Sequence, residues 1–93
     1  MAEEFRHDRQ ASTYGVTIDG VPAGVAGYRL NEGVADFDHT VVLPAFGGRG
    51  VAGRLVQYAM DDVRAAGEWK VRASCSYVAH RFGKHPEYAD LLA

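Results

Sequence analysis

Residues 41–55, Val41-Val42-Leu43-Pro44-Ala45-Phe46-Gly47-Gly48-Arg49-Gly50-Val51-Ala52-Gly53-Arg54-Leu55, change their period midway. The apolar run Val41 to Leu43 reads as a strand, and Pro44 halts it because proline has no N–H to give to a ladder. Four glycines then fall within seven residues. From Gly50 on, Val51, Ala52, Leu55, Val56, Ala59, Met60 and Val63 recur at helical spacing. A strand that passes through a glycine-rich loop into a helix is suited to anions. The first helical turn has N–H groups without internal partners, the helix dipole adds partial positive charge, and bare backbone lets a phosphate approach. Arg49 and Arg54 add charge beside the loop. Gly53 lies inside the helix, where glycine costs about 1 kcal/mol relative to alanine, so close packing or close approach is its expected role.

Upstream of this stretch the chain reads as strands joined by tight turns. Tyr14, Val16 and Ile18 alternate with Thr13, Gly15 and Thr17, Asp19-Gly20 is a hairpin signal, and a second run extends from about Ala23 to Leu30. Asn31-Glu32-Gly33 is another turn. Val34 to Leu43 follows as a strand, with Phe37, His39 and Val41 expected on one face. A shorter leading strand is expected around Phe5-Arg6-His7. Downstream, Arg54, Gln57, Asp61 and Arg64 form the wet side of the helix, which Gly67 should stop. Trp69 to Cys75 alternates as a strand, a helix is expected over about Tyr77 to Lys84, and a last turn over Pro86 to Leu92. The fold class is therefore α+β (mixed α/β), β-β-β-β-α-β-α, with an antiparallel meander before a helix, a strand and a C-terminal helix.

Size and composition narrow the function. Ninety-three residues imply one domain, 1–93, with any site on one sheet and its helices. Lys and Arg number 10 against 12 acidic residues, too weak a balance to suggest nucleic acid, so an RNA-binding sheet is disfavoured. No apolar run approaches the roughly 20 residues of a membrane span, and Met1-Ala2-Glu3-Glu4 does not resemble a signal peptide. A cytoplasmic protein is expected, and the single Cys75 leaves a free thiol suited to a reducing compartment. His80 and His85 bring no cysteine or carboxylate geometry for zinc, so no metal site is expected. Edge strands could pair, giving a monomer or weak dimer.

Two nucleotide fingerprints can be laid on the glycine stretch, and neither fits. Gly48, Gly50 and Gly53 spell G-x-G-x-x-G, but that motif belongs to a chain-opening βαβ unit with an acid about 20 residues on, and position 70 is Lys. Gly48 to Leu55 lacks the lysine and hydroxyl residue of a Walker loop.

A meander ending in Val41-Val42-Leu43-Pro44, then a Gly-Arg-Gly loop, a long helix and one further strand, resembles the GNAT superfamily of acetyl-CoA-dependent N-acetyltransferases. That family's motif, [Gln/Arg]-x-x-Gly-x-[Gly/Ala], falls on Gly47-Gly48-Arg49-Gly50-Val51-Ala52. Gly50 and Ala52 fit, and Gly47 departs from the expected Gln or Arg. Asp38-His39-Thr40-Val41, Cys75-Ser76-Tyr77-Val78 and His85-Pro86-Glu87-Tyr88 resemble the minimal YjdJ-type branch. The resemblance implies acetyl-CoA as co-substrate and an amine acceptor, whether a protein lysine, a polyamine or a small amine. It implies pantetheine along Val41, Val42 and Leu43, and pyrophosphate on Gly47, Gly48, Arg49, Gly50, Val51, Ala52 and Gly53. Tyr77 joins these cofactor contacts, and Cys75 and His39 form the reaction centre.

Acyl transfer to an amine needs a proton acceptor, and histidine is the natural one near neutral pH. Cys75 could accept the acyl group, which requires a base such as His39 within hydrogen-bond reach, or it could be a small residue beside the thioester with direct transfer to the amine. Either residue could instead be a packing residue. Tyr77 and Tyr88 could protonate a leaving thiolate. Larger members place a tyrosine about seven residues past this strand, where Phe82 stands here. The competing function is a non-catalytic CoA-binding or protein-interaction module with the same fold.

Overall fold

Two hairpin turns lay out the sheet. Asp19 and Gly20 have φ of 50° and 79°, and Glu32 and Gly33 have φ of 51° and 78°. Positive φ at both central residues gives the turn whose twist matches that of its flanking strands. The computed structural model describes residues 2–93. Its strands are β1 (Glu3–Asp8), β2 (Thr13–Ile18), β3 (Val21–Asn31), β4 (Val34–Val42) and β5 (Lys70–Ala73), side by side in that order. The first four form the antiparallel meander expected from the short connections, and β5 joins β4 in parallel. The leading strand is real and spans six residues. The last strand is shorter than its alternation suggested, since Trp69, Ser74 and Cys75 lie outside it.

Between β4 and β5 run a 3-10 turn (Pro44–Phe46) and helix α1 (Val51–Ala66). Helix α2 (Ser76–Lys84) and a 3-10 segment (Pro86–Leu91) follow β5. Helix α1 buries Val51, Leu55, Val56, Ala59, Met60 and Val63 against the sheet and ends on Gly67 at φ 66°, the left-handed stop expected there. Leu55 is fully buried, worth roughly 1.5–3 kcal/mol in apolar transfer. The facing strand residues Tyr14, Val16, Ile18, Ala26, Ala35 and Phe37 complete the core.

Only one face of the sheet is covered by α1. Arg6, Gly15, Val25 and Arg29 alternate with core residues in their strands and so belong to the other face.

Strand β4 departs from the expected alternation. Gly27 pairs with His39 but Tyr28 pairs with Phe37, so Asp38 is an extra residue, a bulge. Phe37 stays in the core, whereas His39, Val41 and Leu43 emerge exposed and Thr40 and Val42 turn inward, partly buried. The expectation that Phe37, His39 and Val41 share a face is therefore wrong. A period of two breaks wherever one residue is inserted, and nothing local marks the insertion.

Candidate active site

Strands β4 and β5 stay paired for only four residues, Val34–Phe37 against Lys70–Ala73. The last main-chain link between them is the Cys75 N–H donating to the Phe37 carbonyl at 2.8 Å. Beyond it β4 continues to Val42, while the other chain turns away into α2. A gap opens between them. The Leu43 N–H donates to the Ala23 carbonyl at 2.9 Å, so main-chain groups of that parity point to β3. By the alternation of an antiparallel ladder, the N–H and C=O of Thr40 and Val42 face the gap instead. They can bond an extended, amide-bearing chain laid along β4. Of the residues expected to hold pantetheine, Val42 is partly buried beside the gap and Val41 and Leu43 are exposed on the open face.

At the end of this gap lies the glycine loop. Gly48 and Gly50 have φ of 76° and 74°, and Gly50 caps α1 from the left-handed region with no side chain bonded to the first-turn amides. Those amides, from Val51, Ala52 and Gly53, are left for an anion. Arg49 lies with its guanidinium 5.7 Å from the Phe46 ring centre. Arg54 lies beside the loop, but its charge is paired with a carboxylate of β1. It grips Glu3 at 2.8 and 2.5 Å and the Arg49 carbonyl at 2.9 Å. Its salt bridge holds the start of β1 to α1, and the paired Glu3 carboxyl is lowered by the Arg54 hydrogen bond.

Gly53 serves packing. A Cβ there would come within 3.2 Å of Arg81 Nη1 and 3.4 Å of the Tyr77 hydroxyl, so α2 lies over the first turn of α1. Tyr77 is thus beside the first turn of α1. Arg81, whose Nη2 reaches the Gly53 carbonyl at 3.4 Å, is a cation near the anion cradle that sequence reading missed. No local signal marks it, because its neighbour is 28 residues away.

The structure gives His39 and Cys75 separate settings. Cys75 ends the gap as the residue before α2, and its thiol lies 3.7 Å from Thr40 Oγ1. Burial pushes the thiol pKa up, but the amides of Val78 and Tyr77 and the Thr40 hydroxyl outweigh it, and the net shift is downward. His39 is on the other face, where neighbouring side chains of one strand point oppositely. Its ring lies over Gly27, so close that a Cβ there would come within 2.0 Å of Cε1. Its Nδ1 bonds Asp38 Oδ1 at 2.8 Å, and Asp38 Oδ2 pairs with Arg29 Nε at 3.2 Å. The His39 hydrogen bond, helped by the charges of His39 and Arg29, outweighs desolvation and holds the Asp38 carboxyl below its usual range. An ionised Asp38 accepts from Nδ1–H and leaves Nε2 as the acceptor, the tautomer a general base needs. Asp38 and Thr40 are the partners that sequence reading did not assign to His39 and Cys75.

No helix is long and apolar enough to cross a membrane among the described residues, and no cluster of metal-ligating side chains occurs among them.

The fold recurs in solved structures. A candidate GCN5-like N-acetyltransferase from Staphylococcus aureus superposes with a TM-score of 0.72 at 24% identity, over 97% of this chain and 87% of that one. The ribosomal-protein-S18-alanine N-acetyltransferase from Escherichia coli gives 0.65 at 16% identity, over 77% of this chain and 49% of the enzyme. The chain thus spans about half the length of that enzyme. The aminoglycoside N-acetyltransferase AAC(6')-Iy, in complex with a CoA bisubstrate analogue, gives 0.51 at 21% identity, over 82% and 58% of the two chains. No curated protein matches the sequence. The model of the GCN5-related N-acetyl-transferase family matches residues 13–91, from the start of β2 to the end of the last 3-10 segment. With so much of the chain accounted for by that one model, the protein belongs to the GCN5-related N-acetyltransferase family.

Proposed function

We propose that residues 1–93 form one catalytic unit that transfers an acetyl group from acetyl-CoA to an amine arriving on the open face of the sheet. The observation that carries this reading is the gap beside β4, whose main-chain groups lead directly to the uncapped start of α1. Thr40 and Val42 would hold the pantetheine amides, with Val41 and Leu43 along its edges. The amides of Gly47 to Gly53, with Arg49, Tyr77 and Arg81 beside them, would hold the pyrophosphate. Bound there, acetyl-CoA supplies an activated acyl carbon at the end of the gap nearest Phe37 and Cys75.

The chain's own groups then handle the amine. His39 Nε2, aimed by Asp38, takes the amine proton as the C–N bond forms and the C–S bond breaks; the departing thiolate takes a proton from water, and His39 returns its own to solvent, so that amide and free thiol are the products. Because Cys75 bonds Thr40 rather than His39, direct transfer is the mechanism this arrangement supports. Cys75 serves as a small, polarised neighbour of the thioester. Calorimetry with CoA, acetyl-CoA turnover on a panel of amines, and intact-mass analysis after incubation with acetyl-CoA test the reading. We expect CoA binding, turnover and no acetyl adduct on Cys75. An adduct on Cys75 would replace direct transfer with a covalent route, and CoA binding without turnover on any amine would make the chain a binding module.

A further inference from the structure

A second depression on the open face lies along β4 from His39. This cavity of about 320 Å³ is lined by Arg29, Asn31, Glu32, Val34, Asp36 and Arg72. Arg29, Asp36 and Arg72 are register neighbours on β3, β4 and β5, a row of alternating charge across three strands. The row does not satisfy itself. Arg29 turns away to Asp38, Arg72 has no ion-pair partner among the described residues, and Asp36 uses Oδ2 for the Ser74 hydroxyl at 3.0 Å while its buried Oδ1 has no hydrogen-bond partner. A carboxylate oxygen left without a donor is costly, and a guanidinium in a concave site is a ready carboxylate binder.

These demands exclude simple ligands. An anion alone would meet Asp36 and Glu32, and a polyamine would meet Arg29 and Arg72. A group bearing an ammonium and a carboxylate on one carbon answers both. The pocket is also joined to the reaction centre, because Arg29 lines it and holds Asp38, which aims His39. Asp36 and His39 are separated by about 7 to 10 Å along the strand, the reach of a lysine-length side chain.

Resting on the acetyltransferase reading above, we propose that the acceptor is a free basic amino acid. Its α-carboxylate is held by Arg72, its α-ammonium by Asp36, and its side-chain amine is presented to His39. The test uses L-lysine, cadaverine, which has the same amine without the carboxylate, and a lysine blocked at both backbone ends. Without acetyl-CoA, L-lysine should shift the amide NMR signals of Asp36 and Arg72, and the other two should not. In turnover, lysine should be preferred over both. Arg72→Ala should raise the KM for lysine about 10- to 100-fold, collapsing the preference over cadaverine, while CoA affinity measured by calorimetry holds. Equal use of cadaverine or blocked lysine, or a lysine KM indifferent to Arg72→Ala, overturns the acceptor assignment while leaving acetyl transfer intact. Loss of CoA binding in the unmutated protein counts against acetyl transfer instead. The lysine titration judges the pocket either way.

Discussion

The two ends of α1 meet the sheet in opposite ways. Near its C-terminal half, polar groups are spent on one another. Tyr14 OH donates to Asp62 Oδ2 at 2.7 Å, His7 Nδ1 lies 3.3 Å from the same oxygen, and His7 Nε2 meets the Tyr28 hydroxyl at 2.6 Å. The His7 ring stacks on Tyr14 at 4.0 Å with Trp69 edge-on at 5.8 Å, and Phe37 packs on Tyr14 and Tyr28. Near its N-terminal end the same helix starts on a glycine without a capping side chain, beside a strand that has lost its neighbour. One end is closed by mutual satisfaction and stabilises the fold. The other keeps donors and acceptors unspent, and that is where a ligand can bind.

Five measurements can break or sharpen this contrast. Truncation at the closed end should have the largest effect: Phe37 is fully buried, and Phe37→Ala should cost about 3–5 kcal/mol in denaturant unfolding. A cost below about 1 kcal/mol would mean that this end does not carry the fold. At the open end, His39→Ala should lower kcat about 10²- to 10⁴-fold with CoA affinity little changed. Gly27→Ala should reproduce that loss, because a Cβ there occupies the place of the His39 ring. If Gly27→Ala kept full activity, the seat over Gly27 would not be the working position of the base.

Smaller effects follow at the loop and at His7. Gly50→Ala places a Cβ at φ 74° and 3.1 Å from Arg54 Nη1, a strain of about 1–2 kcal/mol that should weaken CoA binding about tenfold. Unchanged CoA affinity would move the pyrophosphate away from this turn. The smallest expected effect is a pH dependence of stability. Burial lowers the His7 pKa below the ordinary histidine value of about 6.5, outweighing the pull of Asp62. The unfolded chain therefore binds a proton more readily than the folded one. The contribution of neutral His7 is complete above about pH 6.5 and is lost as pH falls below it. Thermal melts at pH 7.5 and 5.5 should show the lower value at pH 5.5, with a smaller difference in His7→Phe. A protein more stable at pH 5.5 would contradict the closed arrangement.

How much of this could be read from the chain depended on the range of the interaction involved. Asp19-Gly20 and Gly67 act within a few residues, so the turn and the helix stop were readable. The pairing of Arg54 with Glu3, 51 residues away, and the approach of Arg81 to Gly53, 28 residues away, leave no local signal and were not legible. The face of His39 was misread because the Asp38 bulge appears only when β4 is paired with β3.

By itself, then, the sequence determined the element order, the hairpins, the amphipathic helix and the glycine loop that starts it, because each follows from local steric and periodic rules. Only the tertiary structure decided which groups meet. It set the cysteine beside Thr40 and the histidine over Gly27, and it left one edge of β4 bare, because these outcomes depend on the register and divergence of strands distant in sequence.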